Sequence, residues 1–313
     1  LSAAGGDTAK TIANLGGDPE KPFQIFKDVE ELYARRREEL KKWYALRKEE
    51  ESIWRAANKE LAAKLDQFLS GKAPDIDYAK INCGDNVATR AASAAVLSYL
   101  AEHVENMIVA SADLSNSDKT DGFLKKTHAM VKGDFTGRFL QPGVAEFTMA
   151  CIMNGMALHG GVIPACGTFF VFSDYMKPAL RIAALQRLPV KYVWTHDSFR
   201  VGEDGPTHQP IEHEAQIRLM EHLRNHAGER SMVVLRPADG EETIAAWRLA
   251  LEEKRPVALI LSRQNIKNLP ALAASRREEA AQLAKGAYIV ADTAKPDVVM
   301  VASGSEVATL VEG

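Results

Sequence analysis

The densest gathering of reactive side chains is THDSFRVGEDGPTHQP, residues 195–210. His196, Asp197, Glu203, Asp204 and His208 share this one Gly- and Pro-containing loop. Core packing gives no reason for it. Imidazoles and carboxylates gathered there suit hydrogen bonding to a polyhydroxylated or phosphorylated ligand. On composition alone they also suit an ordinary polar surface loop. A shared metal is poorly served, because the His-x11-His spacing of His196 and His208 does not put both rings on one helix face.

Two further stretches carry possible chemistry. In GTFFVFSDYMKPA (167–179), Phe169, Phe172 and Tyr175 recur every three residues. Such rings at a strand end can form a slot for a flat heteroaromatic ring, each contact contributing about 0.5–1.5 kcal/mol. They would equally serve as core aromatics. GVAEFTMACIMNGMALHGG (143–161) is a mostly apolar helix with one acid near its start, Glu146. Burying that acid ionised is costly. It fits a carboxyl that shares a proton with a ligand nitrogen, or a helix-start acid answering the dipole. Smaller signals are Asp113 and Ser117 in SADLSNSD, Arg90 in ATR and Arg263 in SRQ. Arginine makes planar, charge-assisted contacts to phosphate.

The elements that must position these groups alternate. MIVAS (107–111), VIPACGTFFVF (162–172), VKYVWTH (190–196), SMVVLRP (231–237) and PVALILS (256–262) read as buried strands. Helical stretches lie between them at about 86–104, 144–159, 175–187, 210–224 and 240–253. Continuous apolar strands separated by helices predict an α/β fold, a mostly parallel sheet with helices on both faces. The reactive loop follows a strand and so falls where open α/β sheets bind ligands.

Ahead of the alternation, residues 28–70 read as helix with room for one break, and Asp28 is the expected N-cap. Leu32, Leu40, Trp43, Leu46, Ile53, Trp54, Leu61, Leu65 and Phe68 recur at mixed threes and fours among many charges. That pattern suits an amphipathic connector packed on a neighbouring domain, not a coiled coil. Gly71 to Tyr78 is a linker. After residue 286, AYIVAD and DVVMVASGS read as two strands and SEVATLVEG as a helix start.

A net charge of -3 gives no basic surplus for nucleic acid. Cys83, Cys151 and Cys166 are widely spaced and odd in number, which predicts no disulfide framework and a reducing cytoplasm. No apolar run is long enough for a membrane helix. The first residues, LSAAGGDTAK, carry neither a signal pattern nor an initiator Met, so the sequence is expected to begin inside a longer polypeptide.

Taken together, these segments resemble transketolase over essentially all 313 residues. THDS followed by GEDGPTHQP is a highly specific family string. GTF-x-x-FSDYM, IMNG-x-ALHGG, SADLS, RPADG-x-E and LSRQN occur in the family's order. The resemblance implies that residues 1–75 are the tail of a first domain plus a connector. It makes 76–275 the pyrimidine-binding domain and 285–313 the start of a C-terminal domain. It implies transfer of a two-carbon ketol unit from a ketose phosphate to an aldose phosphate, of the xylulose 5-phosphate and ribose 5-phosphate class. The reaction belongs to the pentose phosphate pathway and uses thiamine diphosphate with a Mg or Ca ion, in a homodimer.

Carried over, Glu146 bonds the pyrimidine ring nitrogen and so favours the tautomer that activates the cofactor. Phe169, Phe172 and Tyr175 line the pyrimidine pocket, with Asp113 beside it. His196, Asp204 and His208 contact sugar hydroxyls or the developing oxyanion. Arg90, Ser117 and Arg263 hold the substrate phosphate. His196 and His208, with Glu146, are the expected catalytic groups. The sequence departs from the family in having Ala145 and Phe147, where Arg and His usually flank the acid. The family's metal-binding GDG motif with its following Asn is also absent. CGDN (83–86) and GEDG (202–205) look similar but stand in the wrong context. The metal ligands are therefore expected on a domain outside this sequence, and the chain alone is expected to be inactive. Dihydroxyacetone synthase and a non-catalytic dimerising fragment remain as alternatives. 1-Deoxyxylulose-5-phosphate synthase and the pyruvate dehydrogenase decarboxylase share the domain but lack the string.

Overall fold

The computed structural model describes residues 2–198 and 200–313. The chain divides into two compact units, with the division between Lys64 and Leu65. The first contains α1 (Thr8–Asn14) and α2 (Lys27–Ala57), and α3 (Lys59–Leu69) follows. The break expected within 28–70 falls at Asn58, where the backbone turns to φ -128°, ψ 57°. Asp28 is not the cap. The helix starts at Lys27 after Phe26, and Asp28 and Glu30 lie in the first turn, where the positive helix end favours acids. Ion pairs three residues apart, Arg36–Glu39 at 3.0 Å and Lys41–Glu38 at 2.8 Å, line α2, and none of its residues is buried.

The second unit carries, in chain order, α4 (Thr89–His103), β1 (Met107–Ser111), α5 (Ser115–Asp118), α6 (Asp121–Leu124) and β2 (Phe139–Leu140). Next come α7 (Glu146–His159), β3 (Ile163–Phe169), α8 (Ser173–Gln186), β4 (Lys191–Thr195), α9 (His213–His222) and β5 (Val233–Leu235). It closes with α10 (Gly240–Glu252), β6 (Val257–Leu261), α11 (Arg276–Ala280) and α12 (Glu306–Glu312). The six strands pair in parallel in the order β2-β1-β3-β4-β6-β5. From β1 the chain runs outward to β2 and returns to β3 on β1's other side. That reversal opens a crevice at the carboxyl ends of β1 and β3.

Side chains alternate across the sheet, as the period of two requires. Val109, Val193 and Leu259 face Leu97 and Leu100 of α4 and Trp247 of α10. Ala110, Trp194 and Ile260 face Met149 and Met153 of α7 and Met176 and Leu180 of α8. Each fully buried large side chain contributes about 1.5–3 kcal/mol. Trp247 also donates its indole N–H to Ser93 Oγ at 2.9 Å, so its one polar atom is satisfied in the core. Lys191 opens β4 buried, its ammonium donating to the Glu253 carbonyl at 3.1 Å, and burial pushes its pKa down to about 7.

The two strands expected after residue 286 do not form. Neither AYIVAD nor DVVMV pairs with a described strand, and Val299 and Val301 are 82% and 84% exposed. An extended segment becomes a strand only by exchanging backbone hydrogen bonds with a neighbour, and none is offered there. The helix expected beyond them is α12.

Candidate functional site

Strand β4 ends at Thr195, and His196 then takes a left-handed backbone, φ +62°. That region is unfavourable for a residue with a β-carbon. The ring is buried, with Nδ1 2.9 Å from Thr195 Oγ1 and Nε2 3.5 Å from Arg90 Nη1. Arginine can only donate, so Nε2 must accept and the proton belongs on Nδ1. Burial, followed by the charges of Arg90, Arg263 and His208, pushes the His196 pKa down to about 3. His196 is therefore a neutral imidazole at every physiological pH.

Aromatic rings continue from it. The Phe169 ring lies 3.7 Å from His196 and 5.9 Å from Phe172, and Phe172 lies 6.2 Å from Tyr175. His208 meets Phe172 edge-on at 5.3 Å and Phe169 at 6.1 Å. The 3-10 turn Phe170–Phe172 at the end of β3 gives this ladder its spacing. Phe170 turns the other way, against Trp194 in the core. The row is graded, from buried Phe169 to Tyr175 at 60% exposed.

The cationic groups converge next to it. Arg90, in the first turn of α4, donates to the Ser117 carbonyl at 2.6 Å. Its backbone N–H bonds the Ser262 carbonyl at 3.3 Å, which brings α4 to the end of β6 and to Arg263. A β-carbon on Gly202 (φ +93°) would lie 2.8 Å from the Arg263 guanidinium, so the loop passes over that side chain only because residue 202 is glycine. Burial and then the neighbouring Arg263 charge both lower the Arg90 pKa. Two guanidinium groups held close repel each other, and an anion between them relieves that repulsion.

Of the residues expected to form the site, the contacts thus join His196, His208, Phe169, Phe172, Tyr175, Arg90, Ser117 and Arg263. Glu146, Asp113 and Asp204 are placed less directly. Glu146 is the first residue of α7, 7% exposed, with no hydrogen bond or ion pair to another described residue. Its helix follows β2, which sets its start at the carboxyl edge of the sheet. Asp113 is exposed just beyond β1, with φ +64°. Asp204 is exposed, its carbonyl accepting from Thr207 Oγ1 at 3.5 Å. Phe199, inside the signature string, lies outside the described residues.

One buried acid beside the site, Asp118, was not singled out from sequence. Asp118 accepts from Ser111 Oγ at 2.6 Å and from the Thr120 N–H and hydroxyl at 2.8 and 2.7 Å, and burial pushes its pKa up to about 6. It fastens the turn that carries Asp113 and Ser117 to the end of β1. The Asp-x-Thr spacing of an Asx turn was the available signal. Asp197, expected in the polar loop, is instead 4% exposed and tied to Arg236 at 2.9 Å.

The aromatic row and Glu146, 7% exposed and without a partner among the described residues, suit a flat ring that carries a nitrogen. They offer nothing to a diphosphate-bound cation. Among the described residues one group could hold a metal, Asp174, Glu212 and His213. The Lys177 ammonium already sits on Asp174, and both acids stand at helix starts, which repel cations.

Residues 85–268 match the family model described as transketolase, pyrimidine binding domain. The chain belongs to the transketolase family. It is 46% identical over 259 residues to the transketolase of Geobacillus stearothermophilus, covering 81% of this chain and 37% of that one. It is 42% identical over 297 residues to that of Halalkalibacterium halodurans, covering 93% and 42%. Among solved structures it resembles transketolase from Leishmania mexicana, with TM-score 0.82, 34% identity and 97% and 43% coverage. It also resembles a Pichia stipitis transketolase complexed with sedoheptulose 7-phosphate, with TM-score 0.80, 36% identity and 98% and 44% coverage. The chain thus spans less than half the length of these family members. Within the described residues no helix is long and apolar enough to cross a membrane.

Proposed function

We propose that this chain supplies the pyrimidine-binding and substrate-binding half of a transketolase active site. In this reading the enzyme moves a two-carbon ketol unit from a ketose phosphate to an aldose phosphate. The observation that carries it is a graded row of aromatic rings meeting an arginine pair and a neutral, buried His196, all at strand ends of a transketolase-family chain. Thiamine diphosphate, when bound, supplies the carbanion equivalent and electron sink that carbon–carbon cleavage needs. Glu146 holds the pyrimidine nitrogen, with Ala145 and Phe147 in place of polar neighbours. Phe169, Phe172 and Tyr175 clasp the ring, and Asp113 stands beside them.

His196 is held with its acceptor at Nε2, so a sugar hydroxyl that replaces the long 3.5 Å contact from Arg90 bonds there without changing the charge of the ring. His208 and Asp204 reach the substrate from the loop's outer side. Arg90 and Arg263 grip the phosphate, with Ser117 completing that end. Fixed dipoles and charges of this kind need no reorganisation when the reaction occurs. The metal and diphosphate contacts come from a first domain carrying GDG and Asn, and the site is completed in a homodimer.

A coupled assay with xylulose 5-phosphate, ribose 5-phosphate, thiamine diphosphate and Mg²⁺ tests this. The chain alone is expected to be silent. Adding a transketolase first domain is expected to give turnover that Glu146→Ala abolishes. Turnover with formaldehyde as acceptor in place of ribose 5-phosphate would identify the dihydroxyacetone synthase reaction. Silence with both acceptors in the complemented sample would overturn the reading.

A further inference from the structure

Beyond the site itself, one buried side chain ties four parts of the second unit together. Arg236 follows β5 directly, with its side chain 8% exposed. Its Nε and Nη2 both donate to Asp197 Oδ2, at 3.2 and 2.9 Å. Its Nη1 donates to the Ser303 carbonyl at 3.2 Å and pairs with Glu306 at 2.6 Å and Glu214 at 3.3 Å. Its own carbonyl accepts from the Gly304 N–H at 3.0 Å, and a β-carbon on Gly304 would lie 2.7 Å from its Cγ and Nε. Ser305 Oγ closes the ring on Asp197 Oδ2 at 3.3 Å. Strands β4 and β5 are separated by β6, so the Arg236–Asp197 pair crosses between strands that share no ladder.

Asp197 is the neighbour of His196, whose left-handed backbone persists only if its surroundings over-determine it. We propose that Arg236 is a positioning residue for His196. By clamping Asp197 to the Ser303–Glu306 turn, it holds the backbone twist that aims the imidazole along Phe169 and towards Arg90. The geometry of the site is thereby set in part by the segment that leads into α12. The functional weight of Arg236 rests on the reading of His196 as a substrate contact, whereas its effect on the ring does not.

The two are tested separately. In the chain with ring-labelled histidine, the His196 signal is identified by its loss in His196→Asn. Arg236→Lys keeps the charge but not the two-nitrogen hold, and Glu306→Gln keeps the shape of a side chain that is 47% exposed. Both are expected to shift the His196 signal while those of His103 and His159 stay in place. Glu306→Gln carries the test should Arg236→Lys fail to fold. In the complemented assay, Arg236→Lys is expected to raise KM for the ketose phosphate about tenfold, and to have no further effect in a His196→Asn background. An unmoved His196 signal in both variants, or effects of Arg236→Lys and His196→Asn that simply multiply, would overturn the role. Absence of turnover in the unmodified complemented protein would instead count against the transketolase reading, with the ring signal still deciding the role of Arg236.

Discussion

At the scale of single residues, backbone and charge constrain the site as firmly as side-chain chemistry does. Gly202→Ala must fit a β-carbon against the Arg263 guanidinium at a positive φ. It is expected to lose about 1–2 kcal/mol in a urea titration and to weaken binding of sugar phosphates. At position 196 the twist favours Asn and Gly over Val and Ile, because only the former enter the left-handed region readily. His196→Asn is therefore expected to fold and His196→Val to melt earlier, as scanning calorimetry would report. The pH dependence has a definite sign. Folded His196 stays neutral down to about pH 3, while an unfolded histidine gains its proton near 6.5. Between those values the unfolded chain binds the extra proton, so acidification removes up to about 1.4 kcal/mol per pH unit. Denaturation at pH 7 and pH 4.5 should show that loss in the native chain and a smaller one in His196→Asn.

At the scale of elements, the strands were legible because the apolar runs of β1, β3, β4, β5 and β6 are continuous and bounded by turn residues. Strand β2 escaped notice because its two residues, Phe139 and Leu140, are too few to show a period. The segments near Val290 and Val299 misled for the opposite reason. Their composition suits a strand, but a strand needs a partner and composition does not record one. In the site, the rings of Phe169, Phe172 and Tyr175 were readable from their spacing in the strand-to-helix turn. The Asp197–Arg236 pair was not, because it joins positions on two non-adjacent strands. Lys191 offers a test at the other end of β4. Unfolded lysine holds its proton to about pH 10.4, whereas burial releases it near 7 in the fold. The unfolded chain is the more protonated between those values, so stability should rise as pH climbs from 7 towards 10. Lys191→Met is expected to flatten that rise and to raise the melting temperature most at neutral pH.

At the scale of the whole molecule, apolar side chains remain on the surface of both units. Phe23 is 94% and Trp43 61% exposed in the first, and Val299 82% in the second. Sedimentation velocity over a range of concentrations is expected to show self-association, and a monomer throughout would contradict the proposed homodimer. The sheet also has a temporal consequence. Thr89 donates its N–H to Ser262 Oγ at 3.0 Å, a buried tie across 173 positions, and the Arg90 backbone bonds the Ser262 carbonyl. Arg90 leaves the ribosome early, yet the backbone it must rest on is made much later, and pairings so distant in sequence form slowly. A nascent chain that stops short of Ser262 therefore cannot seat Arg90 as it stands here, so under the proposed function the capacity to hold a phosphate would mark a chain synthesised and folded past β6.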